Sequence, residues 1–159
     1  MKIEIIPAME SDAEALVDIQ KQAFKRLYDI YKDEGNPYLR GVDEISMWFG
    51  RLGWHVYKIT VDGVLCGGIT VGERKPNEFY LARIYVLPEM QGKGIAVAAI
   101  KLCEAKFPNA KRWLLDFPVE ESRNRRCYEK AGYVDTGERR EQNKGEIILA
   151  IYEKLIGDN

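Results

Sequence analysis

The sequence predicts an α/β (α+β) protein whose mixed, mostly antiparallel sheet has six or seven strands and is flanked by about four helices. Two pairs of β-rich runs are each joined by a short turn sequence, which predicts antiparallel hairpins. Between these hairpins, β-rich runs alternate with helical periods, and such strand–helix–strand units imply some parallel pairing. The chain is expected to form one domain over residues 1–159, which is long enough to bury a core.

The composition is that of a soluble globular protein. Hydrophobic residues make up 46% of the chain and charged residues 31%. The formal net charge of −1 gives no overall attraction to nucleic acid or to an anionic membrane surface. No apolar run has the length of a membrane span, and the start lacks the apolar region of a secretory signal. We therefore expect a cytoplasmic protein with no nucleic-acid partner and no membrane partner.

The cysteines do not form a metal-binding pattern. Cys66, Cys103 and Cys127 are odd in number and widely spaced, and His55 is the only histidine. A zinc site would need ligands gathered from across the fold. We expect reduced, buried thiols and no metal.

The first half of the chain predicts a strand, two helices and a hairpin, in residues 2–8, 11–33, 42–52 and 54–73. The first helix shows a helical period of apolar residues. Ser11 and Glu14 stand at its start in the spacing of a capping box. Asp62-Gly63 is a strong two-residue hairpin turn.

The second half predicts a strand, a helix, a strand, a helix and a hairpin, in residues 78–87, 94–107, 111–117, 122–132 and 133–155. Ala99, Ile100 and Cys103 lie on the inner stripe of the first of these helices. Ser122 is a candidate N-cap of the second, and Gly132 takes its C′ position. The closing hairpin turns near residues 143–145.

A glycine-rich loop stands between a predicted strand and a predicted helix. Pro88 ends the apolar run, and Gly92 and Gly94 then bracket Lys93. A helix N-terminus carries unpaired N–H groups and partial positive charge, and glycines let a bulky anion approach them. Gly94 stands where a P-loop needs Ser or Thr, and Val97 where a dinucleotide loop needs its third glycine. Taken alone, the loop fits either a phosphate cradle of another kind or an ordinary tight turn.

Two segments resemble motifs of the GCN5-related N-acetyltransferase (GNAT) superfamily. Residues 91–96 (QGKGIA), preceded by a strand, resemble motif A, and residues 126–133 (RCYEKAGY) resemble motif B. The resemblance extends through the element order of the whole chain and is sharpest over residues 78–133. It implies a GNAT fold with splayed central strands, and an N-acetyltransferase that takes its acetyl group from acetyl-CoA.

The resemblance also implies a site for acetyl-CoA. Its pantetheine arm would lie along the main chain of Ile84, Tyr85 and Val86. Backbone amides would hold its pyrophosphate, and they belong to Gln91, Gly92, Lys93, Gly94, Ile95 and Ala96. On the next helix, Asn124 and Arg126 are further candidates for cofactor contacts, because Glu121 stands where the family often has asparagine.

The catalytic groups implied by the resemblance begin with Tyr128, as general acid to the leaving CoA thiolate. Proton transfer from a tyrosine of pKa about 10 to a thiolate of pKa about 8.5 is uphill by roughly 2 kcal/mol. A tyrosine that merely packs within its helix is the alternative. The general base is open: Tyr80 stands where some relatives have glutamate, and Glu78, Glu73 and Asp116 are nearby candidates.

The acceptor would be a primary amine that attacks the thioester directly in a ternary complex, because Cys127 has no evident base for a covalent route. Aromatic and acidic residues of the first two helices suit a small cationic amine. They are Tyr28, Tyr31, Asp33, Glu34, Tyr38, Asp43, Glu44 and Trp48. An ordinary amphipathic surface explains them equally well.

The identity of the acceptor stays open among a polyamine, an aminoglycoside-like amine, an amino acid and a peptide or protein amine. The rival function is a non-catalytic acyl-CoA-binding or regulatory domain. A small nucleotide-binding protein is disfavoured by the residue after Gly92-Lys93. A homodimer through the C-terminal strands is also compatible with the sequence.

Overall fold

Seven strands form one sheet in the order β1-β2-β3-β4-β5-β7-β6 in this computed structural model, which describes residues 1–157. The strands are β1 (Ile3–Pro7), β2 (Trp54–Val61), β3 (Val64–Lys75), β4 (Glu78–Val86), β5 (Arg112–Pro118), β6 (Val134–Gln142) and β7 (Ile147–Leu155). The helices are α1 (Ala13–Tyr31), α2 (Val42–Phe49), α3 (Ile95–Ala105) and α4 (Ser122–Lys130). The last two residues of the expected domain 1–159 lie outside the described residues.

Within residues 1–157, the only parallel neighbours in the sheet are β4 and β5, and the other five strand pairs are antiparallel. The β2–β3 hairpin turns at Asp62 and Gly63, whose φ angles of 50° and 81° are those of a two-residue hairpin turn. The predicted fold class and element order are confirmed.

Two helix starts differ from the prediction. A short 3₁₀ turn precedes α1, and Asp12 occupies its N-cap position. The carboxylate of Asp12 accepts the N–H of Met9 at 2.8 Å, so the predicted capping role of Ser11 is wrong. Helix α4 already includes Ser122, and the N-cap position belongs to Glu121. A carboxylate at that point interacts favourably with the positive N-terminal end of the helix dipole.

Helices cover both faces of the sheet. Helix α3 buries Ala99, Ile100 and Cys103 completely in the larger of two apolar clusters. Helices α1 and α2 form the smaller cluster with Val56 of β2. Tyr57, the next residue of β2, belongs to the larger cluster. Because successive strand side chains point to opposite faces, the two clusters lie on opposite sides of the sheet.

The sheet opens between its two parallel strands. Strand β4 pairs with β5 only over residues 78–80 and 112–114. Beyond these three pairs, β4 stays with β3 up to Val86, and β5 stays with β7 up to Pro118. A register shift leaves Ala82 of β4 opposite no residue of β3, and such a bulge bends the strand. The splayed central strands that the family resemblance implied are therefore present.

Candidate active site

A cleft of about 810 Å³ fills the opening between β4 and β5. Strand β4 and the start of α3 form one wall, and the end of β5 with α4 forms the other. The C-terminal half of α1 and the segment after it close one side. Most residues predicted for the cofactor line this cleft: Ile84, Tyr85, Val86, Gln91, Gly92, Gly94, Ile95, Ala96, Asn124 and Arg126.

The main chain of β4 presents alternate residues to the cleft. The N–H of Leu87 donates to the carbonyl oxygen of Cys66 in β3 at 2.8 Å. Strand alternation therefore turns the main-chain groups of Tyr85 toward β3 and those of Ile84 and Val86 toward the opening. Of the three residues predicted to bind the pantetheine arm, two offer main-chain groups there and Tyr85 does not.

The side chain of Tyr85 explains its place. Its ring is buried beside Phe24 of α1, with the two ring centroids 6.3 Å apart. A Cβ atom added to Gly68 of β3 would come within 2.5 Å of the Tyr85 hydroxyl. Tyr85 thus packs between α1 and β3. Position 68 must be glycine because the Tyr85 side chain occupies the space that a Cβ atom would take.

The glycine-rich loop presents free amides to the cleft. The first helical hydrogen bond of α3 runs from the N–H of Ala98 to the carbonyl of Gly94 at 3.1 Å. Across the described part of the chain, no acceptor is bound by the N–H groups of residues 92–97. A Cβ atom at Gly92 or Gly94 would meet no atom within 4 Å, so the space in front of the loop is open. Free amides at a helix N-terminus suit a phosphate group.

Gln91 and Lys93 contribute differently from the glycines. The side-chain amide of Gln91 donates to the carbonyl of Val86 at 3.0 Å, which ties the loop to the end of β4. The ammonium of Lys93 lies on the surface, 3.9 Å from the sulfur of Met90, and Lys93 does not line the cleft. Lys93 therefore offers its backbone amide to the loop, while its charge lies outside the cleft.

Tyr128 of α4 faces the cleft from its interior wall. The residue is 9% exposed, and its ring packs on Phe117 of β5 with centroids 5.2 Å apart. Its hydroxyl has no hydrogen-bond partner among residues 1–157. Burial, together with the neighbouring Cys127 and Asp116, raises the pKa of Tyr128. The hydroxyl therefore keeps its proton at neutral pH and is available as a donor.

Tyr80 is joined to Asp116 across the opening. The Tyr80 hydroxyl donates to Oδ2 of Asp116 at 2.9 Å, and Arg140 of β6 donates to the same oxygen at 2.6 Å. Burial and the adjacent Asp116 carboxylate raise the pKa of Tyr80 to about 12. A phenol with such a pKa is protonated at neutral pH and does not act as the base. The other oxygen of Asp116 accepts no bond within the described chain.

Glu78 and Glu73 are not brought to Tyr128. Glu78 lies at the closed end of β4, where it forms an ion pair with Arg112 at 3.7 Å, and it does not line the cleft. Glu73 accepts the N–H of Asn77 in the β3–β4 turn at 3.0 Å. Because β4 still pairs with β5 at Glu78, that carboxylate lies beyond the closed end of the opening. Of the acidic candidates for the base, Asp116 lines the cleft, whereas Glu78 and Glu73 do not.

Glu121 points toward α1 rather than into the cleft. Its carboxylate accepts hydrogen bonds from Arg26 at 2.8 Å and from the Tyr31 hydroxyl at 3.3 Å. The Glu121 side chain is only 11% exposed. The family's usual asparagine is thus replaced here by a residue that joins α1 to α4.

The aromatic and acidic residues of the first two helices are largely engaged within the chain. The rings of Tyr28 and Tyr38 stack at 5.1 Å. Lys32 lies over the first ring at 5.0 Å, and Lys21 over the second at 5.7 Å. These aromatic faces already bind cations of the protein itself.

The same holds for the pair nearer to the sheet. Trp48 stacks on Trp54 at 6.0 Å, and the guanidinium of Arg83 lies 4.9 Å from the centroid of Trp48. Glu44 forms ion pairs with both Arg83 and Arg40. A cationic ligand would have to displace these internal partners.

Other features of the chain bear on cofactors and location. Within residues 1–157, no three His, Cys, Asp or Glu side chains meet in a metal-binding group. Cys66 and Cys103 are buried free thiols, and Cys127 is partly buried. No helix in the part of the chain described is both long and apolar enough to cross a membrane.

The fold is shared with solved N-acetyltransferase structures. The ribosomal-protein-S18-alanine N-acetyltransferase of Escherichia coli superimposes with a TM-score of 0.78 at 15% identity, covering 99% of this chain and 96% of that one. The PaiA N-acetyltransferase of Thermoplasma acidophilum, solved with coenzyme A, gives 0.68 at 21% identity, covering 98% and 100%. This chain therefore has the fold of these solved N-acetyltransferases.

The family assignment comes from the sequence itself. The sequence model described as "Acetyltransferase (GNAT) family" matches residues 22–133. The chain therefore belongs to the GNAT family of acetyltransferases. The protein YrkN of Bacillus subtilis is 29% identical over 135 residues, which are 83% of this chain and 73% of that protein.

Proposed function

We propose that this protein is an acyl-CoA-dependent N-acetyltransferase that moves the acetyl group of acetyl-CoA to a primary amine in a ternary complex. One observation carries the proposal: Gly92 and residues 94–97, whose amides are free, border the same cleft as Asp116 and Tyr128. An anion site, a base and an acid at one opening in the sheet are what an acetyl transfer needs.

The cleft fits acetyl-CoA in two places. The amides of the loop and of the first turn of α3 would bind the pyrophosphate, aided by the helix dipole. The unpaired main-chain groups of Ile84 and the N–H of Val86 would pair with the pantetheine amides, as an added strand would, whereas the Val86 carbonyl already accepts from Gln91. The side chains of Asn124 and Arg126 make no hydrogen bond within the described residues and are free to contact the same cofactor.

Asp116 is the proposed proton acceptor. An alkyl amine of pKa about 10.4 is mostly protonated at pH 7, and its deprotonation costs roughly 4 to 5 kcal/mol. The free oxygen of Asp116 would take this proton, directly or through water, while Tyr80 and Arg140 hold the other oxygen. The two fixed hydrogen bonds orient the carboxylate, and this reduces the entropy lost when the amine binds.

Tyr128 is the proposed proton donor. The amine nitrogen forms its bond to the acetyl carbon as the bond from that carbon to sulfur breaks. The Tyr128 hydroxyl gives its proton to the leaving sulfur, and the first proton of the ammonium has gone to Asp116. The second proton, which the nitrogen loses as the amide forms, returns through solvent to the Tyr128 oxygen. Asp116 and Tyr128 line one cleft, so both transfers can occur in a single ternary complex.

We further propose a cytoplasmic location. The three thiols are free in the fold, and proteins of oxidising compartments seldom keep several unpaired cysteines.

The test combines a thermal shift with thiol release. Acetyl-CoA at a hundredfold excess over its Kd should stabilise the fold by about 2.7 kcal/mol, and each kcal/mol raises Tm by roughly 2 to 4 °C at this chain length. A panel of primary amines is then screened for release of free CoA, with Asp116→Asn as the variant that should bind and not turn over. Stabilisation with no turnover by any amine would favour the non-catalytic acyl-CoA-binding domain. An unchanged Tm at saturating acetyl-CoA would refute the cofactor assignment.

A further inference from the structure

Two arginines border the part of the cleft that Tyr80 and Asp116 line, although neither arginine lines the cleft itself. Arg140 donates to Oδ2 of Asp116 at 2.6 Å, and its side chain remains 48% exposed. Arg74 at the end of β3 lies with its guanidinium carbon 3.6 Å from the centroid of the Tyr80 ring. Tyr80 itself donates to Asp116. The four side chains Arg74, Tyr80, Asp116 and Arg140 are called the rim cluster below.

The rim cluster has an excess of positive charge. Asp116 balances Arg140, whereas Arg74 has no acidic partner within 4.0 Å among residues 1–157. A stacked guanidinium keeps its N–H edge available, because cation–π contact uses only its flat face. Arg74 and Arg140 therefore both have N–H groups left for an anionic oxygen of a ligand.

The two acids toward α1, Glu121 and Asp33, are each hydrogen-bonded within the chain. Glu121 is bound by Arg26 and Tyr31, as described above. Asp33, which lines the cleft beyond α1, accepts the side-chain amide of Asn36 at 3.1 Å within a local turn. The aromatic faces of Tyr28, Tyr38 and Trp48 are covered by the protein's own cations. A purely cationic acceptor would find these aromatic faces already engaged.

Resting on the proposed acetyl transfer, we propose that the acceptor is a free amino acid, a primary amine with a carboxylate on the neighbouring carbon. Its amine would lie at the unoccupied oxygen of Asp116. Its carboxylate would lie on the N–H groups of Arg140, which binds the other oxygen of Asp116, and of Arg74, which stacks on the Tyr80 ring. An amine and a carboxylate on one carbon match Asp116 and Arg140, which are themselves in contact at 2.6 Å.

This inference makes Arg74 and Arg140 determinants of specificity. Guanidinium groups bind carboxylates through paired N–H donors, and a charged partner left without its counterpart loses much of the binding free energy. An amino acid should therefore be preferred over the same molecule with its carboxylate converted to an amide. The loss of one charged hydrogen bond corresponds to about a tenfold change or more in kcat/KM.

The experiment compares matched acceptors on the full chain. The twenty common amino acids, their carboxamides and the corresponding decarboxylated amines are tested with acetyl-CoA by thiol release. Each acceptor is also added to the CoA-loaded protein and its shift in Tm recorded, which reports binding without turnover. Arg74→Gln is the principal variant because Arg74 has no hydrogen bond to Asp116, and Arg140→Gln is the second.

The matched control is Arg139→Gln, because Arg139 neighbours Arg140 on β6 but pairs with Asp135 at 2.8 Å away from the rim cluster. We expect at least one amino acid to exceed its carboxamide by about tenfold in kcat/KM. Arg74→Gln and Arg140→Gln should reduce that ratio through KM for the acceptor, with KM for acetyl-CoA and the control variant unchanged.

Three outcomes would overturn the inference. Carboxamides or cationic amines could react as well as the amino acids. The ratio could survive both arginine substitutions. The third outcome is that none of the amino acids changes either the turnover or the Tm of the CoA-loaded protein. In each case stabilisation by acetyl-CoA, or turnover of another amine, would leave the proposed acetyl transfer standing, so the two failures are distinguishable.

Discussion

At the scale of single residues, only two of the four sequence candidates for the general base, Tyr80 and Asp116, line the cleft. Tyr80 stands at the position expected of a base, yet its hydroxyl is a hydrogen-bond donor to Asp116. The alternation of β5 buries Trp113, Leu115 and Phe117, and so it turns Asp116 to the other face. That alternation is readable in the sequence. The arrival of Arg140 at Asp116 is not, because it depends on the order in which β5, β7 and β6 pair.

Tyr128→Phe should lower kcat while leaving the affinity for acetyl-CoA nearly unchanged. The substitution removes only the hydroxyl, which has no hydrogen-bond partner among residues 1–157, and loss of a general acid costs about a hundredfold in rate. The measurement is kcat and KM by thiol release. Tyr57→Phe is the control, since Tyr57 is likewise buried and does not line the cleft. Unchanged turnover in Tyr128→Phe would make Tyr128 a packing residue.

Tyr80 should leave a signature in the pH dependence of stability. Its folded-state pKa of about 12 exceeds the ordinary value of 10.0, so folding favours the neutral phenol. The contribution of this phenol is complete below pH 10 and is lost as the pH rises toward 12. Urea unfolding of the wild type and Tyr80→Phe should show a free-energy difference that is constant near neutral pH and shrinks above pH 10. A constant difference throughout would contradict the raised pKa.

At the scale of elements, the site is produced by a loop, a helix start and a gap between strands. The sequence predicted the loop and the helix, because glycine spacing and apolar periodicity are local signals. The length of the gap was not predictable. It depends on where β4 leaves β5 and on the bulge at Ala82, both of which follow from packing between distant parts of the chain.

Gly94→Val should abolish most of the affinity for acetyl-CoA without unfolding the chain. Gly94 has a φ of 81°, which a β-branched residue adopts only with strain of about 1 to 3 kcal/mol, and its side chain would enter the space kept for phosphate. Gly137→Val is the matched control, with a φ of 87°, equally open surroundings and a place on β6 outside the cleft. Isothermal titration with CoA distinguishes them, and equal affinity in both variants would refute the phosphate cradle.

Glu121→Gln should weaken the connection between α1 and α4 more than it affects cofactor binding. The carboxylate binds Arg26 and Tyr31 and does not line the cleft, so KM for acetyl-CoA should change less than about twofold. A double-mutant cycle with Arg26→Met, followed by urea unfolding, should give a coupling of about 1 kcal/mol, because Arg26 is half exposed. A large rise in KM with no coupling would place Glu121 in the cofactor site instead.

At the scale of the whole molecule, the order of elements was predictable and their arrangement in space was only partly so. Turn residues and hydrophobic periods are local, and they gave the right number of strands and helices. The fitness of the aromatic and acidic residues of the first two helices for a cationic amine stays a prediction, because it depends on contacts that local signals do not give. Tyr28, Tyr38, Glu44 and Trp48 look available in the sequence, but lysines and arginines from elsewhere in the chain occupy them.

The oligomeric state stays a prediction. The C-terminal strands end the sheet at β6, whose residues are almost all exposed and largely charged, and charged edge strands resist pairing with another copy. We therefore expect any homodimer through these strands to be weak. Light scattering during size-exclusion chromatography at micromolar concentration measures this directly, and a stable dimer would show that β6 has a partner despite its charges.

The narrow junction between β4 and β5 has a mechanical consequence. Three residue pairs join a four-stranded part of the sheet (β1–β4) to a three-stranded part (β5–β7), so only a short junction holds the two parts together. A pantetheine arm lying in the opening would accept and donate main-chain hydrogen bonds on the β4 side, and it would contact α4 on the opposite side. We expect cofactor binding to slow amide hydrogen exchange in both parts of the sheet, because the bound cofactor would make the two parts open together rather than separately.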